Sequence, residues 1–209
     1  MFFKFSTIAY HGSPYHFSKF NLTKIGINDG NKYGWGIYFT DNKDFGGSYS
    51  AGKMFYNGEE VKDVYISLAI IDLEKGINKQ DIIEEYKDFK PYVAEFVEKF
   101  DFNKLEKKAG ALYKCSIPDK NELLDWESDI KNQPIYNKLV KIAKKYQIDI
   151  TSETYGSDFY VHLADKANGD KNASIILLTE ENIPGLYYQD DGNCYVIWDV
   201  SKIKILEIK

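Results

Sequence analysis

The feature that most constrains the fold is that short strand patterns stand at both ends of the chain, with helical patterns between them. Short segments with strand patterns cover residues 7–11 and 36–40, and others recur at 186–189, 195–199 and 203–208. An isolated strand or hairpin is only marginally stable, so strands from the two ends must pair within one sheet system. We therefore predict an α+β fold.

The middle of the chain carries mostly helical periodicity. Helices are predicted over 78–108 with a break near Pro91, over 134–146, from Thr151 or Ser152 to about 167, and over 173–182. A helix over 43–51 with Asp41 as its N-cap, a buried strand over 63–72 and a strand over 111–117 complete the prediction. We expect one domain over residues 1–209 with a helix-rich insertion at roughly 76–170.

The charge pattern restricts how an anion can be bound. The net charge is −5, and all 27 basic residues are lysines. Without guanidinium groups, a bound phosphate must be held by backbone N–H groups, hydroxyls and lysine ammonium groups. The acidic balance disfavours a broad nucleic-acid surface.

Cysteine spacing and hydropathy suggest where the protein works. Cys115 and Cys194 have no metal-ligand spacing, so neither zinc nor a disulfide framework is expected. Residues 1–10 do not resemble a signal peptide, and no run approaches the roughly 18 apolar residues of a membrane span. We predict a cytoplasmic protein with no metal and no membrane partner.

Three short motifs carry the candidate chemistry. They are Tyr10-His11-Gly12-Ser13 at a strand end, Gly34-Trp35-Gly36-Ile37-Tyr38-Phe39 followed by Tyr49, and Asn193-Cys194-Tyr195-Val196-Ile197-Trp198-Asp199. A strand-end glycine lets the backbone approach a flat carboxamide, and an imidazole can hydrogen-bond a ribose hydroxyl. Two tyrosine rings can enclose a cationic pyridinium. Taken singly, a His-Gly pair is usually a turn and a strand tyrosine is usually core; the combination fits NAD⁺.

In this order and spacing the motifs resemble the diphtheria-toxin and poly(ADP-ribose)-polymerase group of ADP-ribosyltransferases. The segments Thr40-Asp41-Asn42-Lys43 and Gly47-Ser48-Tyr49-Ser50 are similar to the toxin's own helix. Other segments resemble the ADP-ribosyltransferase domains of phage and mobile-element polyvalent proteins; they include Gly110-Ala111-Leu112-Tyr113, Leu124-Asp125-Trp126 and Ile183-Pro184-Gly185-Leu186-Tyr187-Tyr188. The resemblance implies a split antiparallel sheet with a helical insertion.

The resemblance also implies a role for each motif residue. His11 would contact the nicotinamide ribose, Gly12 would bind the carboxamide through its backbone, and Ser13 would lie near the adenosine ribose. Tyr38 and Tyr49 would flank the nicotinamide, with His11 and Tyr38 as catalytic residues. Lys24 and Asn28, in the loop over 14–33, are candidates for phosphate contact.

The chain departs from this group at one position. A glutamate often precedes the terminal Tyr-hydrophobic-hydrophobic-aromatic strand, and Cys194 stands there. A thiol is a poor acceptor and carries little charge at neutral pH, so Cys194 is a weak catalytic candidate and chain extension to poly(ADP-ribose) is not expected. Asp190, Asp191 or Glu153 could supply the negative charge, although these three can also be explained as solvated turn and cap residues. A nucleophilic Cys194 is a further alternative.

The function that the sequence predicts is mono-ADP-ribosyl transfer from NAD⁺ to a macromolecular acceptor, a protein rather than a nucleic acid. The protein is expected to act as a monomer, as a toxin, phage factor or effector delivered into a host cell. Two alternatives stay open. One is an NAD⁺ glycohydrolase with water as acceptor, and the other is a catalytically silent binding module.

Overall fold

The structure is a computed structural model that describes residues 6–25, 32–151 and 153–209. Its strands are β1 (Ser6–Ser13), β2 (Ile37–Thr40), β3 (Lys53–Tyr56), β4 (Glu59–Glu60), β5 (Leu105–Lys108), β6 (Ala111–Pro118), β7 (Leu124–Asp125), β8 (Gly185–Asp190), β9 (Gly192–Ile197) and β10 (Lys204–Ile208). Its helices are α1 (Lys43–Ser48), α2 (Val64–Glu74), α3 (Lys79–Tyr86), α4 (Pro91–Glu98), α5 (Tyr136–Tyr146), α6 (Gly156–Ala167) and α7 (Asp170–Glu181). The mixed helix and strand content confirms the α+β class.

The chain divides into two compact units. One comprises Met1–Ser50 and Ala111–Lys209, and the other comprises Ala51–Gly110. The predicted insertion at roughly 76–170 does not coincide with the second unit, because α5 and α6 belong to the first. The assignment of residues 1–209 to one catalytic domain stays a prediction.

In the first unit, strands from both ends of the chain share one sheet, as predicted. The strand order is β10-β6-β1-β2-β9-β8-β7. Neighbouring strands run antiparallel except β7 and β8, which are parallel, so the sheet is mixed. The fully antiparallel sheet expected from the resemblance is therefore wrong for this pair.

Alternation along the strands gives this sheet two apolar faces. Val196 and Tyr38 lie on the face packed against α5, α6 and α7, whose core includes Leu139, Phe159 and Leu177. The intervening strand residues, such as Phe39, pack on the other face. The two faces together bury the strands that carry the motif residues.

The second unit has its own core. Strands β4, β3 and β5 form a small sheet, and the buried residues of the helices form a separate apolar cluster that includes Ile70, Ile82, Val93 and Val97. Residues 63–72, predicted as a buried strand, instead form most of α2 together with its cap. The Asp63 carboxylate accepts the backbone N–H groups of Tyr65 and Ile66, and this cap starts a helix despite the β-branched composition.

The N-caps of α1 and α6 differ from the prediction. The N-cap of α1 is Asn42, whose side chain accepts the N–H groups of Asp44 and Phe45. Asp41 instead accepts the backbone N–H of Asn193 at 2.9 Å, which ties β2 to β9. The N-cap of α6 is Tyr155, whose N–H donates to the carboxylate of Asp158.

Within the described residues, no helix is both long and apolar enough to cross a bilayer.

Candidate active site

The first motif lies where β1 and β2 separate. The two strands pair at Tyr10 and Thr40, and the pairing of the described residues goes no further along β1. We call the gap beyond this pair, between residues 11–13 of β1 and 37–39 of β2, the β1–β2 split. Residues 11–13 lie at the end of β1, which continues to Ser13. Among the described residues, residues 11–13 therefore have a strand partner on the β6 side and none on the β2 side.

The backbone groups of Gly12 point into this split. Gly12 pairs with Leu112 of β6, but Leu112 exchanges both of its hydrogen bonds with Lys209 on its other side, at 2.9 and 3.0 Å. The Gly12–Leu112 pair is therefore a non-hydrogen-bonded pair. The N–H and C=O of Gly12 consequently face away from β6, and a flat amide in the split could pair with both.

Gly12 is also required for packing. A Cβ atom at this position would lie 2.1 Å from the carbonyl oxygen of Gly46 and 2.9 Å from the backbone N of Ser50. The close approach holds α1 against β1, which explains the glycine without any ligand. It also brings the end of α1, where Tyr49 is the C-cap, beside Gly12.

His11 has a defined tautomer. Its Nδ1 lies 2.8 Å from the backbone oxygen of Tyr38, and because a carbonyl only accepts, Nδ1 carries the proton. Burial lowers the pKa of His11, and the hydrogen bond to Tyr38 only partly opposes this effect. His11 is therefore neutral near pH 7, with Nε2 as a hydrogen-bond acceptor.

Aromatic side chains enclose the imidazole. The ring centroid of His11 lies 5.2 Å from that of Phe20, 5.6 Å from that of Phe39, 6.1 Å from that of Tyr113 and 6.3 Å from that of Phe17. Phe17 and Phe20 belong to the loop after β1. The role of Phe39 and Tyr113 was missed, although both fall on buried positions of alternating strands.

The ring of Tyr38 is not among the aromatic rings that surround His11. Because successive strand residues alternate, its ring is on the sheet face opposite to Phe39 and His11. Its hydroxyl donates to the Gly34 carbonyl at 2.8 Å and accepts the Tyr33 N–H at 3.2 Å. Burial raises the pKa of Tyr38 to about 12, so the phenol stays neutral. Tyr38 therefore contacts His11 at the split through its backbone carbonyl, while its ring lies on the other face of the sheet.

Tyr49 is available to a ligand. Its side chain is 60% exposed, and its ring meets the edge of Phe45 at a centroid distance of 5.5 Å. Phe45 in turn packs with Tyr38 around the same apolar cluster. Both predicted tyrosines thus lie on one side of the sheet, with one ring anchored and the other open to solvent.

Cys194 does not replace a carboxylate. Its side chain is 1% exposed, and it pairs along the sheet with Thr40 and Tyr188. Burial raises the pKa of the thiol, while hydrogen bonds with the Thr40 and Tyr188 side chains oppose this effect. A protonated, buried thiol neither polarises a ribose hydroxyl nor attacks a substrate, which disfavours the catalytic role predicted for Cys194.

The alternative carboxylates lie elsewhere. Asp190 and Asp191 are exposed at the β8–β9 turn. That turn lies beyond the Thr40–Cys194 pair, on the side away from Tyr38 and the split. Glu153 is also exposed, and its N–H donates to the Thr151 hydroxyl at 3.2 Å. These positions support their interpretation as turn and cap residues.

The remaining predicted contacts are of three kinds. Ser13 is buried, and its hydroxyl oxygen accepts the N–H of Tyr15 at 3.1 Å, so it shapes the start of the loop. Lys24 ends a 3₁₀ turn over Leu22–Lys24; its side chain lies outside the described part of the structure. Asn28 lies outside the described residues altogether. The predicted phosphate contacts of Lys24 and Asn28 stay predictions.

No family model, curated protein or solved structure matches this chain. Among the residues that the structure describes, no group of three or more His, Cys, Asp or Glu side chains could hold a metal ion. The geometry of the β1–β2 split is therefore the main guide to function.

Proposed function

We propose that this chain is a mono-ADP-ribosyltransferase with an ADP-ribosyltransferase fold, and that NAD⁺ binds with its nicotinamide in the β1–β2 split. One observation carries the proposal. The N–H and C=O of Gly12 face the split beside a neutral imidazole whose Nε2 accepts hydrogen bonds. A primary carboxamide offers one acceptor and two donors in a plane, which matches the two Gly12 groups. The 2′ or 3′ hydroxyl of the attached ribose then matches Nε2.

The two tyrosines favour the substrate over the product. The anchored ring of Tyr38 and the exposed ring of Tyr49 supply π-faces on the α1 side of the sheet. Such faces attract the cationic pyridinium of NAD⁺ more than neutral nicotinamide. Because the leaving group loses its charge as it departs, the site binds the substrate more tightly than the released nicotinamide.

The reaction breaks one bond and forms another. The C1′–N bond of NAD⁺ breaks, its electron pair goes to the pyridine nitrogen, and neutral nicotinamide leaves. The ribosyl carbon passes through an oxocarbenium-like state, as in glycoside cleavage. An acceptor oxygen or nitrogen then bonds to C1′ and loses its proton to solvent. With Cys194 buried, orientation of the two reactants provides most of the rate enhancement.

The test is nicotinamide release from NAD⁺ by purified protein, with and without a host lysate. We expect release to persist in Cys194→Ala and to vanish in His11→Ala and Tyr38→Ala. His162→Ala is the matched control, because His162 is an exposed histidine on α6. Free ADP-ribose formed rapidly from NAD⁺ alone would identify a glycohydrolase instead of a transferase.

The buried thiol of Cys194 favours one other function, a catalytically silent module that binds a partner through its surface. Absence of nicotinamide release by the wild type with every lysate tested would support this alternative. A macromolecular label that protease removes and nuclease does not would instead support the predicted protein acceptor.

A further inference from the structure

The hydroxyl of Tyr113 connects β6 to the loop that follows β1. The backbone N–H of Phe17 donates to this hydroxyl at 2.6 Å, and the hydroxyl lies 3.1 Å from the backbone oxygen of the same residue. It therefore accepts from the backbone of Phe17, and it can donate to the backbone oxygen of Phe17 or, at 3.4 Å, to that of Tyr15. Two such bonds fix one point of the loop against the sheet.

The rings reinforce the same connection. The rings of Tyr113 and Phe17 are stacked, with centroids 4.2 Å apart and planes inclined by 13°. Phe17 contacts Phe20 at a centroid distance of 5.0 Å, and both phenylalanines contact the imidazole of His11. The chain of contact runs from β6 through the loop to His11.

A phenylalanine would satisfy the core at position 113. Tyr113 is fully buried, and the other buried positions on its side of β6 are Ala111, Cys115 and Ile117. A buried hydroxyl costs free energy unless it is hydrogen-bonded, and here its partners are loop backbone groups. The hydroxyl therefore serves the position of the loop and not the packing of the core.

We propose that Tyr113 is a positioning residue that holds Phe17 and Phe20 over His11, and so keeps the imidazole desolvated with Nε2 as an acceptor. The consequence for catalysis rests on the proposed function, whereas the effect on the imidazole does not. Burial lowers the pKa of His11, and the rings of Phe17 and Phe20 are among the neighbours of the imidazole.

Few titratable groups face this imidazole. From β2 it meets the Tyr38 carbonyl and the Phe39 ring, and from the loop the Phe17 and Phe20 rings. From β6 it meets the phenol of Tyr113, whose pKa is raised by burial. The ring of His16 lies 6.4 Å from that of Tyr113. Burial, to which the loop rings and the strand rings both belong, is therefore the main control on the protonation of His11.

The experiment uses Tyr113→Phe, which keeps the stacked ring and removes only the hydroxyl. Histidine resonances are followed against pH by NMR and assigned with His16→Ala and His162→Ala. We expect the pKa of His11 to rise toward its ordinary value and the amide of Phe17 to exchange about tenfold faster, as loss of one hydrogen bond implies. Tyr195→Phe, a buried tyrosine of the same apolar cluster, is the control and should change neither.

A second variant keeps the test decisive if Tyr113→Phe does not fold. Phe17→Leu retains the backbone bond to Tyr113 and removes the stacked ring, and it should also raise the pKa of His11. An unchanged pKa of His11 in whichever variant folds would overturn the proposal.

Activity separates this proposal from the proposed function. If the wild type releases nicotinamide, Tyr113→Phe should lower kcat more than it raises KM, because the imidazole is misplaced and the nicotinamide contacts remain. If the wild type releases none, the proposed function fails, and the NMR result still decides the role of Tyr113.

Discussion

At the scale of single residues, the imidazole of His11 is the group whose protonation the fold controls most clearly. Its Nδ1–H is committed to the Tyr38 carbonyl, and four aromatic rings surround it. The sequence identified His11 as a candidate but could not assign its tautomer. That assignment requires a backbone carbonyl 27 residues away, which becomes a neighbour only through strand pairing.

The pH dependence of stability tests the burial of His11. Its folded pKa lies below the ordinary value of 6.5 because of burial, so the unfolded chain binds the proton more readily. Above that value both states are neutral and His11 has no effect. As the pH falls below it, the free energy of unfolding should decrease, and this decrease should level off below the folded pKa. Urea titrations across this range should show less pH dependence for His11→Asn, in which the side-chain amide can still donate to Tyr38.

Cys194 provides a second test at this scale. Because its thiol is buried with a raised pKa, we expect an alkylating reagent at pH 8 to leave it unmodified in the folded protein. Mass spectrometry should detect modification only after denaturation. Cys115, the other buried thiol, should behave alike. Rapid modification of Cys194 in the native state would restore it as a nucleophile candidate.

At the scale of elements, the sequence predicted the terminal strands well and the second unit less well. Strands β1, β2, β6 and β10 alternate or carry clear apolar runs, so their positions were recognisable. The segment of α2 is equally apolar and β-branched, and only the Asp63 cap and the packing of Ala69, Ile70 and Leu73 make it a helix. Tertiary packing of this kind does not appear in local composition.

The contact between β1 and α1 gives a prediction for Gly12. Gly12→Ala places a Cβ atom 2.1 Å from the Gly46 oxygen, so α1 must move and the free energy of unfolding should fall by about 2–3 kcal/mol. Gly47→Ala is the matched control, since its Cβ would lie 4.0 Å from Leu112, an ordinary contact. Alanine also favours the helix there, by up to about 1 kcal/mol. Equal stability of the two variants in denaturant titrations would contradict this packing.

The residues of the candidate site could largely be predicted from the sequence, but the orientation of their side chains and the burial of Cys194 could not. The order of the motifs indicated His11, Gly12, Tyr38 and Tyr49, and β1, β2 and α1 do bring these residues to one part of the sheet. The sequence could not reveal that the His11 and Tyr38 rings occupy opposite faces, because residues in different strands have no common register until the strands pair. Burial of Cys194 likewise follows from its neighbours on β2 and β8.

At the scale of the whole molecule, the separate apolar clusters predict separate folding. Every residue of the cluster in the second unit lies between positions 51 and 110, and the clusters of the first unit lie outside that range. A fragment of residues 51–110 should therefore show helical circular dichroism and a cooperative thermal transition. A fragment without such a transition would mean that this cluster depends on the rest of the chain.

If the proposed function holds, the backbone of Gly12 binds the carboxamide of nicotinamide in the β1–β2 split. The most direct measurement is the amide resonance of Gly12 in ¹⁵N-glycine-labelled protein titrated with nicotinamide. We predict a saturable shift of this resonance, weakened by Tyr49→Ala, while Gly76 and Gly169, which lie in open turns, stay unchanged. If nicotinamide saturates the protein and the Gly12 resonance does not move, the split is not the nicotinamide site.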